Sequence, residues 1–482
     1  IGEAFLLTAR RLVDLGLDYL SLDRASSTLS TGERQRMQLA RVVRNRTTGI
    51  LYVLDEPSIG LHPANIHGLK GVMRDLIDDG NSIILVDHDT QILRDADWLI
   101  ELGPGAGANG GRIIAQGTIK EIEKDSESKI GRFLSGEEEG RIRPVVPKDK
   151  MFDEGCIEML TSAIHTVQPL EVKVPKGRLT VVTGVSGSGK TTMVLESLVP
   201  ALKAKFDSAP MPEHIISVEA SGFRNVKLID STPIGANVRS TVATYANIHD
   251  ELRKIFGRSA DAKAHNYKAG DFSYNTGCLR CPVCDGTGTI SLDVQFLPDV
   301  DIPCPDCNGS RYGKAAWSVR IPSMGGRSVS LPELMDEDVE QAIEDCAGHK
   351  TVASRLTTLN NLGLGYLTLG EATPSLSGGE AQRLKLATEM GRQQGDSLFV
   401  FDEPTIGLHP LDVRKLIEVF QHLIDLGATI IVIEHDLDVI RNADYIIDMG
   451  PGGGMSGGRI VAAGTPDEIA SCPDSITGRF IS

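Results

Sequence analysis

Short, unbroken apolar runs set the pattern of this chain. Arg178–Gly184 reads RLTVVTG, and Leu51–Leu54, Ser82–Val86, Leu398–Phe401 and Thr429–Ile433 are runs of the same kind. Apolar runs of this length without alternation predict strands buried on both faces, as in a parallel sheet. Helical periods lie between them, and a helix is expected from Gly189 onward. The pattern predicts an α/β fold. No apolar run reaches the ~18–20 residues that cross a bilayer, and no secretory signal opens the chain. No membrane partner and a cytoplasmic location are therefore expected. The chain starts at Ile1, inside a helix-forming segment, and reads as a fragment.

The pattern repeats. TLSTGE at 28–33 answers SLSGGE at 375–380, LDEPSIGLHP at 54–63 answers FDEPTIGLHP at 401–410, and DHD at 87–89 answers EHD at 434–436. Asp55 and Asp402, His88 and His435, and Gly131 and Gly478 are each 347 positions apart. Residues 1–136 and roughly 348–482 are thus two copies of one unit. The charged, proline-containing stretch 137–150 is the expected linker, and residues 151–482 form the second domain. Everything from Met151 through Ala347 belongs to the second copy alone.

That private stretch holds the phosphate-binding motif. Gly184-Val-Ser-Gly-Ser-Gly-Lys190-Thr191 follows a predicted strand and opens a predicted helix, the context of a phosphate-binding P-loop. Its glycines let backbone N–H groups turn inward, Lys190 reaches the β- and γ-phosphates, and the Thr191 hydroxyl ligates Mg²⁺. Gly184, Ser186, Gly187, Ser188, Gly189, Lys190, Thr191 and Thr192 are the expected ATP contacts. Asp402 and Glu403 end a strand, which suits a Mg²⁺-holding acid and a water-activating base. His435, after the next strand, is placed to sense the γ-phosphate. A pair of solvated acids and a structural histidine are the alternatives, and the duplication at Asp55, Glu56 and His88 argues against them.

Composition adds a metal. Of eight cysteines, five (Cys278, Cys281, Cys284, Cys304 and Cys307) fall within thirty residues. Without an export signal, such clustering reads as metal binding rather than disulfides. Cys281/Cys284 and Cys304/Cys307 are two CxxC knuckles that together complete a four-sulfur Zn²⁺ site, in a module spanning 275–315. Cys278 is a spare thiol or a substitute ligand. Cys156, Cys346 and Cys472 are scattered and read as small buried hydrophobes. The net charge of −16 excludes a uniformly basic surface but not a local nucleic-acid patch. Arg280, Arg311, Tyr312, Lys314, Trp317, Arg320 and Arg327 interleave basic and aromatic residues, with Arg311 and Tyr312 the leading DNA-contact candidates. A solvated basic face explains the same residues without DNA.

SLSGGEAQRLKLA (375–387) and DEPTIGLHP (402–410), with Glu ending the signature, resemble the UvrA family of ATP-binding-cassette proteins, the damage-sensing subunits of bacterial excinuclease. The likeness covers nearly the whole chain, including the flanks of the cysteine module at 272–275 and 296–300. It implies two head-to-tail nucleotide-binding domains, the first incomplete, with a four-cysteine zinc ribbon inserted in the second. Each ATP is then expected between one P-loop and the other domain's signature, so Lys190, Thr191, Asp402, Glu403 and His435 would face Ser30, Thr31, Gly32 and Glu33. The second half-site, Asp55, Glu56, His88, Ser377, Gly379 and Glu380, has no P-loop to serve, and one is expected upstream of Ile1. The resemblance further implies ATP, Mg²⁺ and Zn²⁺, damaged double-stranded DNA, a nuclease-loading partner, and homodimerisation. The implied function is ATP-dependent damage recognition in nucleotide excision repair, or protection of DNA against drugs by a paralogue. A transporter's nucleotide-binding subunit and a ribosome-associated cassette ATPase are the alternatives. Departures from the family pattern point to a divergent branch: Ser231 replaces a usual Gln, and Thr31 replaces a signature Gly.

Overall fold

All six residues of the strand Leu179–Gly184 are buried, which its unbroken apolar run requires. It lies between Thr429–Ile433 and Tyr445–Gly450 in a six-stranded sheet. The order is Arg459–Gly464, Tyr445–Gly450, Leu179–Gly184, Thr429–Ile433, Ser397–Asp402, Asn225–Ile229. Pairing is parallel throughout except at the edge strand Arg459–Gly464. Parallel strands present their carboxyl ends along one side, so Gly184, Asp402 and the residue after Ile433 emerge together.

The first copy reproduces this register. Leu51–Asp55 pairs in parallel with Ser82–Val86, Leu51 opposite Ser82, as Leu398 is opposite Thr429. One face of this pair (Tyr52, Leu54, Ile83, Leu85) packs on a core with Leu69, Val72 and Leu76 of the helix Pro63–Asp78. The other face (Leu51, Val53, Ile84, Val86) is exposed. Its second-copy equivalents Leu398, Val400, Ile431 and Ile433 are fully covered, packed with Val182, Met193 and Val194 of the P-loop segment. The P-loop helix begins with a wide π-helical stretch, Thr192–Leu198, and continues as Val199–Asp207. Pro200 lacks the N–H that a regular turn would need there.

The computed structural model describes residues 2–26, 29, 31–43, 48–105, 110–137, 140–235, 237–292, 300–324, 326–390 and 394–481. Compactness groups them into two units: Ile1–Leu102 with Ile113–Asp230 and Gln393–Ser482, and Gly103–Arg112 with Ser231–Arg392. The second unit is largely helical and carries the cysteine module, in which Thr289–Leu292 pairs antiparallel with Val300–Pro303. The stretch read as a linker is anchored. Arg143 donates to Asp444 at 2.9 Å and to the Asn442 carbonyl at 2.7 Å, and Arg141 donates to the Ala443 carbonyl at 2.9 Å. Among the described residues no helix is long and apolar enough to cross a membrane.

Candidate functional site

The P-loop closes on itself. Gly184 has φ of +134°, and a Cβ there would lie 2.0 Å from the Met449 carbonyl oxygen, so only glycine can end the strand this way. Lys190 is buried and its Nζ donates to the carbonyls of Gly184 at 2.8 Å and Val185 at 2.9 Å. Burial pushes its ammonium down to about 8, while Glu403, Asp448 and Asp402 pull the other way. The Ser188 hydroxyl is fully buried without a hydrogen-bond partner among the described residues. A buried orphan hydroxyl and a lysine held by its own loop form a donor set that phosphate oxygens fit. Thr191 is exposed, and Thr192 donates to Glu196 at 3.1 Å. Ser186 donates to the Gly60 carbonyl at 3.4 Å, and the Tyr19 ring lies 2.4 Å from where a Cβ on Gly187 would sit.

Opposite the loop stand the carboxylates. Burial, with Glu403, Glu434 and Asp230 nearby, pushes the Asp402 carboxyl up to about 7. Packed acids of this kind fit a divalent cation, whose charge would offset their repulsion. Glu403 is held at φ +47° and its repeat mate Glu56 at φ +46°, a left-handed backbone rare for glutamate and concentrated at functional sites. His435 Nε2 is 3.6 Å from Glu403 Oε1, and His88 Nε2 is 3.4 Å from Glu56 Oε1. The two histidines are shifted in opposite directions. Burial, with Lys190 and Arg36 nearby, holds His435 well below the usual imidazole range. His88 is more exposed and its contact with Glu56 raises it.

The two copies reach across to each other. A Cβ on Gly60 would come 3.5 Å from the Glu403 carboxylate, and one on Gly407 would come 3.5 Å from that of Glu56. His62 meets His435, and His409 meets His88, each edge to face. A cavity of about 340 Å³ lies between the loops, lined by Glu56, His88, Glu403 and His435 among others. The helix Thr31–Val43 brings Gly32 and Glu33 into buried positions, with Gly32 against the Ile59 carbonyl. Ser30 lies outside the described residues. In the other compact unit, Ser377 caps the helix Gly378–Glu389, accepting from the Glu380 N–H at 3.4 Å while Glu380 accepts from the Ser377 N–H at 2.7 Å. Gly379 is buried behind that cap, whereas Asp55 is exposed at the end of its strand.

The cysteine module is a separate centre. Cys281, Cys284, Cys304 and Cys307 are buried, with their sulfurs all within 4.8 Å of one another. Cys281 and Cys304 sulfurs are 3.9 Å apart and those of Cys284 and Cys307 3.7 Å. Four thiolates on one tetrahedral zinc at ~2.3 Å would be ~3.8 Å apart, so the set fits that ion. Burial raises the Cys284 thiol, but the N–H groups of Gly288 and Gly286 together with the Cys307 and Cys281 thiols outweigh it and bring it to about 7. Cys278 is exposed and points to Asp271 at 3.3 Å, outside this set. Of the scattered cysteines only Cys346 is buried; Cys156 and Cys472 are half-buried, contrary to expectation. The leading DNA-contact candidates are also corrected. Arg311 is buried, donates to the Val238 carbonyl at 2.9 Å and lies over the Tyr274 ring. Tyr312 is buried, with its hydroxyl bonded to the Phe272 carbonyl and to His249. Arg280, Arg320 and Arg327 pair with Asp285, Glu333 and Asp345, Arg327 while still exposed, and Lys314 and Trp317 are the other exposed members of that set.

Among known proteins, UvrABC system protein A of Thermus thermophilus is 45% identical over 478 residues, 98% of this chain and 49% of that protein. The Bacillus subtilis protein of the same name is 43% identical over 470 residues, 97% of this chain and 48% of that protein. The crystal structure of UvrA2 from Deinococcus radiodurans superposes with a TM-score of 0.88 at 40% identity, covering 98% of this chain and 56% of that one. The chain belongs to the UvrA family. No family model matches it. It spans about half the length of the curated relatives it matches.

Seen as a UvrA-family chain, it uses residues that motif reading passed over. Tyr19 donates from its hydroxyl to Glu33, and Tyr366, 347 positions on, donates to Glu380. Arg36 is buried, donates to the Ile59 carbonyl at 3.0 Å and stands within electrostatic reach of Glu403. The repeat itself was the available signal: GLDYL at 16–20 and GLGYL at 363–367 keep the same register. Ser231, at the family's usual Gln, lies against the second signature, 3.2 Å from where a Cβ on Gly378 would sit.

Proposed function

We propose that this chain hydrolyses ATP as part of a DNA-damage-recognition ATPase. The observation that carries the reading is the convergence of Lys190, Glu403 and His435 with Arg36 and Glu33 of the other copy, in one buried electrostatic cluster. Lys190 and the N–H groups of the loop would hold the phosphates, with Thr191 and Asp402 holding Mg²⁺. Magnesium supplies charge neutralisation at the transferring phosphoryl group. Glu403 would take the proton of the attacking water, and His435 would orient both. The buried N-terminus of the helix Thr31–Val43 would bring Gly32 and Glu33 to the same nucleotide. The division into 1–136, 137–150 and 151–482, drawn from the repeat, belongs to the same proposal.

The four cysteines would hold one structural zinc, stabilising a surface that meets DNA. Lys314 and Trp317 are the exposed side chains best suited to phosphate and base contacts there. A nuclease-loading partner, pairing of two chains and a cytoplasmic location belong to the same proposal. The test is ATP turnover with and without lesion-bearing duplex, beside zinc content. One zinc per chain, turnover that changes with damaged DNA, and loss of turnover in Lys190→Ala are expected. Turnover that survives Lys190→Ala, or a chain blind to lesion-bearing duplex, sinks the reading.

A further inference from the structure

A buried line of polar groups runs behind His435, and no motif in the sequence announces it. His62 caps the helix Pro63–Asp78, its Nδ1 accepting from the Ala64 N–H at 3.2 Å. The ring proton therefore sits on Nε2, which donates to Thr477 Oγ1 at 3.0 Å. The Thr477 hydroxyl donates in turn to Asp448 Oδ1 at 2.9 Å, and Ser475 donates to Oδ2 at 2.6 Å. His62, Thr477 and Ser475 are 0% exposed and Asp448 2%. The His62 ring meets that of His435 at 5.8 Å and 87°. His435 Nδ1 is itself buried without a hydrogen-bond partner among the described residues, so packing against His62 and the approach to Glu403 set the ring's orientation.

The repeat makes the line informative, because the other copy lacks it. His409 caps the equivalent helix, with Nδ1 accepting from the Leu411 N–H at 3.2 Å, and faces His88 at 6.4 Å. Ile130 stands at the position of Thr477, however, and Glu101 at that of Asp448. The longer Glu101 accepts from the N–H groups of Lys129 at 2.9 Å and Ile130 at 3.2 Å and from the Ser128 hydroxyl at 2.6 Å. Ile130 offers His409 no hydroxyl. Two half-sites descended from one unit thus hold the cross-copy histidine differently.

We propose that His62 is a positioning residue for His435, braced by Thr477 and Asp448, and that this brace equips the P-loop-bearing site alone among the described residues. The inference rests on the ATPase reading above. A fixed tautomer and ring plane at His62 keep one edge turned to His435, which in turn faces Glu403. The brace holds a catalytic geometry and leaves nucleotide contacts alone, so its loss should fall on turnover.

The decisive pair is Thr477→Val, which removes the hydroxyl at nearly constant shape, and Thr477→Ser, which keeps it. Thr477→Val should lower kcat for ATP about tenfold with KM within about twofold, and Thr477→Ser should restore kcat. A Val variant with wild-type kcat, or one changed in KM alone, overturns the brace. A wild-type chain without turnover overturns the ATPase reading instead. In that case, or if the Val variant does not fold, nitrogen chemical shifts of the wild-type His62 ring decide. The Nε2–H form supports the brace, and the Nδ1–H form overturns it.

Discussion

Glu403 shows how much one residue is asked to do. It sits at φ +47°, just before Pro404, where L-residues are strained and where the residue before a proline avoids helical backbone. That backbone turns its carboxylate toward His435 while Lys190 and Arg36 oppose the protonating effect of burial. A side chain held at such cost needs its charge more than its shape. Glu403→Gln should keep nucleotide affinity within severalfold but lower ATP turnover by about 100-fold or more, the range of a lost general base. Single-turnover hydrolysis beside equilibrium nucleotide binding checks it; turnover within about threefold of wild type would assign the proton to another group. The repeat named Glu403 from sequence through its mate Glu56. Arg36 and Tyr19 stayed hidden because their partners, Ile59 and Glu33, lie on other segments.

At the scale of elements, the segment beside the cysteine module is a packed core rather than a binding face. His249, on the helix Ile248–Phe256, bonds through Nε2 to the Tyr312 hydroxyl at 2.8 Å and lies 4.8 Å from the Tyr274 ring. Burial, with Arg253 and Arg311 nearby, lowers its imidazole to about 3. The unfolded chain takes up this proton near pH 6.5 and the folded chain refuses it, so stability is present above that pH and is lost as pH falls toward 3. The contribution should be about 1.4 kcal/mol per pH unit across that window. Denaturant unfolding between pH 7 and 5 should show a shallower decline in His249→Gln than in wild type; parallel declines would mean that His249 is protonated in the fold. Sequence spacing could not reveal this core. A basic residue next to an aromatic reads the same whether it faces solvent or, like Arg311, lies over a buried Tyr274 ring.

The whole molecule carries an asymmetry that the repeat alone does not display. Leu51 is 56% exposed, Val53 65%, Ile84 51% and Val86 47%, a contiguous apolar face of a kind rare on monomeric proteins. The same register in the second copy is covered by the P-loop strand and helix. Where no further segment of the protein covers it, this face should bind an apolar fluorescent dye and drive self-association. Val53→Asp should lower both, with stability changed by less than about 0.5 kcal/mol because the side chain is already in water. Dye binding that is unchanged in Val53→Asp would show the face to be covered in solution.

Much of this protein is determined locally and can be read from the chain. Apolar runs named the strands, since a strand buried on both faces has no polar period to show. The glycines of the P-loop and the CxxC knuckles fixed their chemistry because neighbouring residues along the chain meet one ligand. The 347-residue register exposed the duplication, since paired copies keep the same spacing wherever the fold is kept. What only tertiary structure decided is which side chains of one copy touch those of the other. Tyr19 against Gly187, Gly60 beside Glu403 and His62 braced by Thr477 join residues up to 415 positions apart. Burial likewise set Lys190 and His435 off their ordinary ionisation, because desolvation depends on everything that packs around a group and not on its neighbours in sequence.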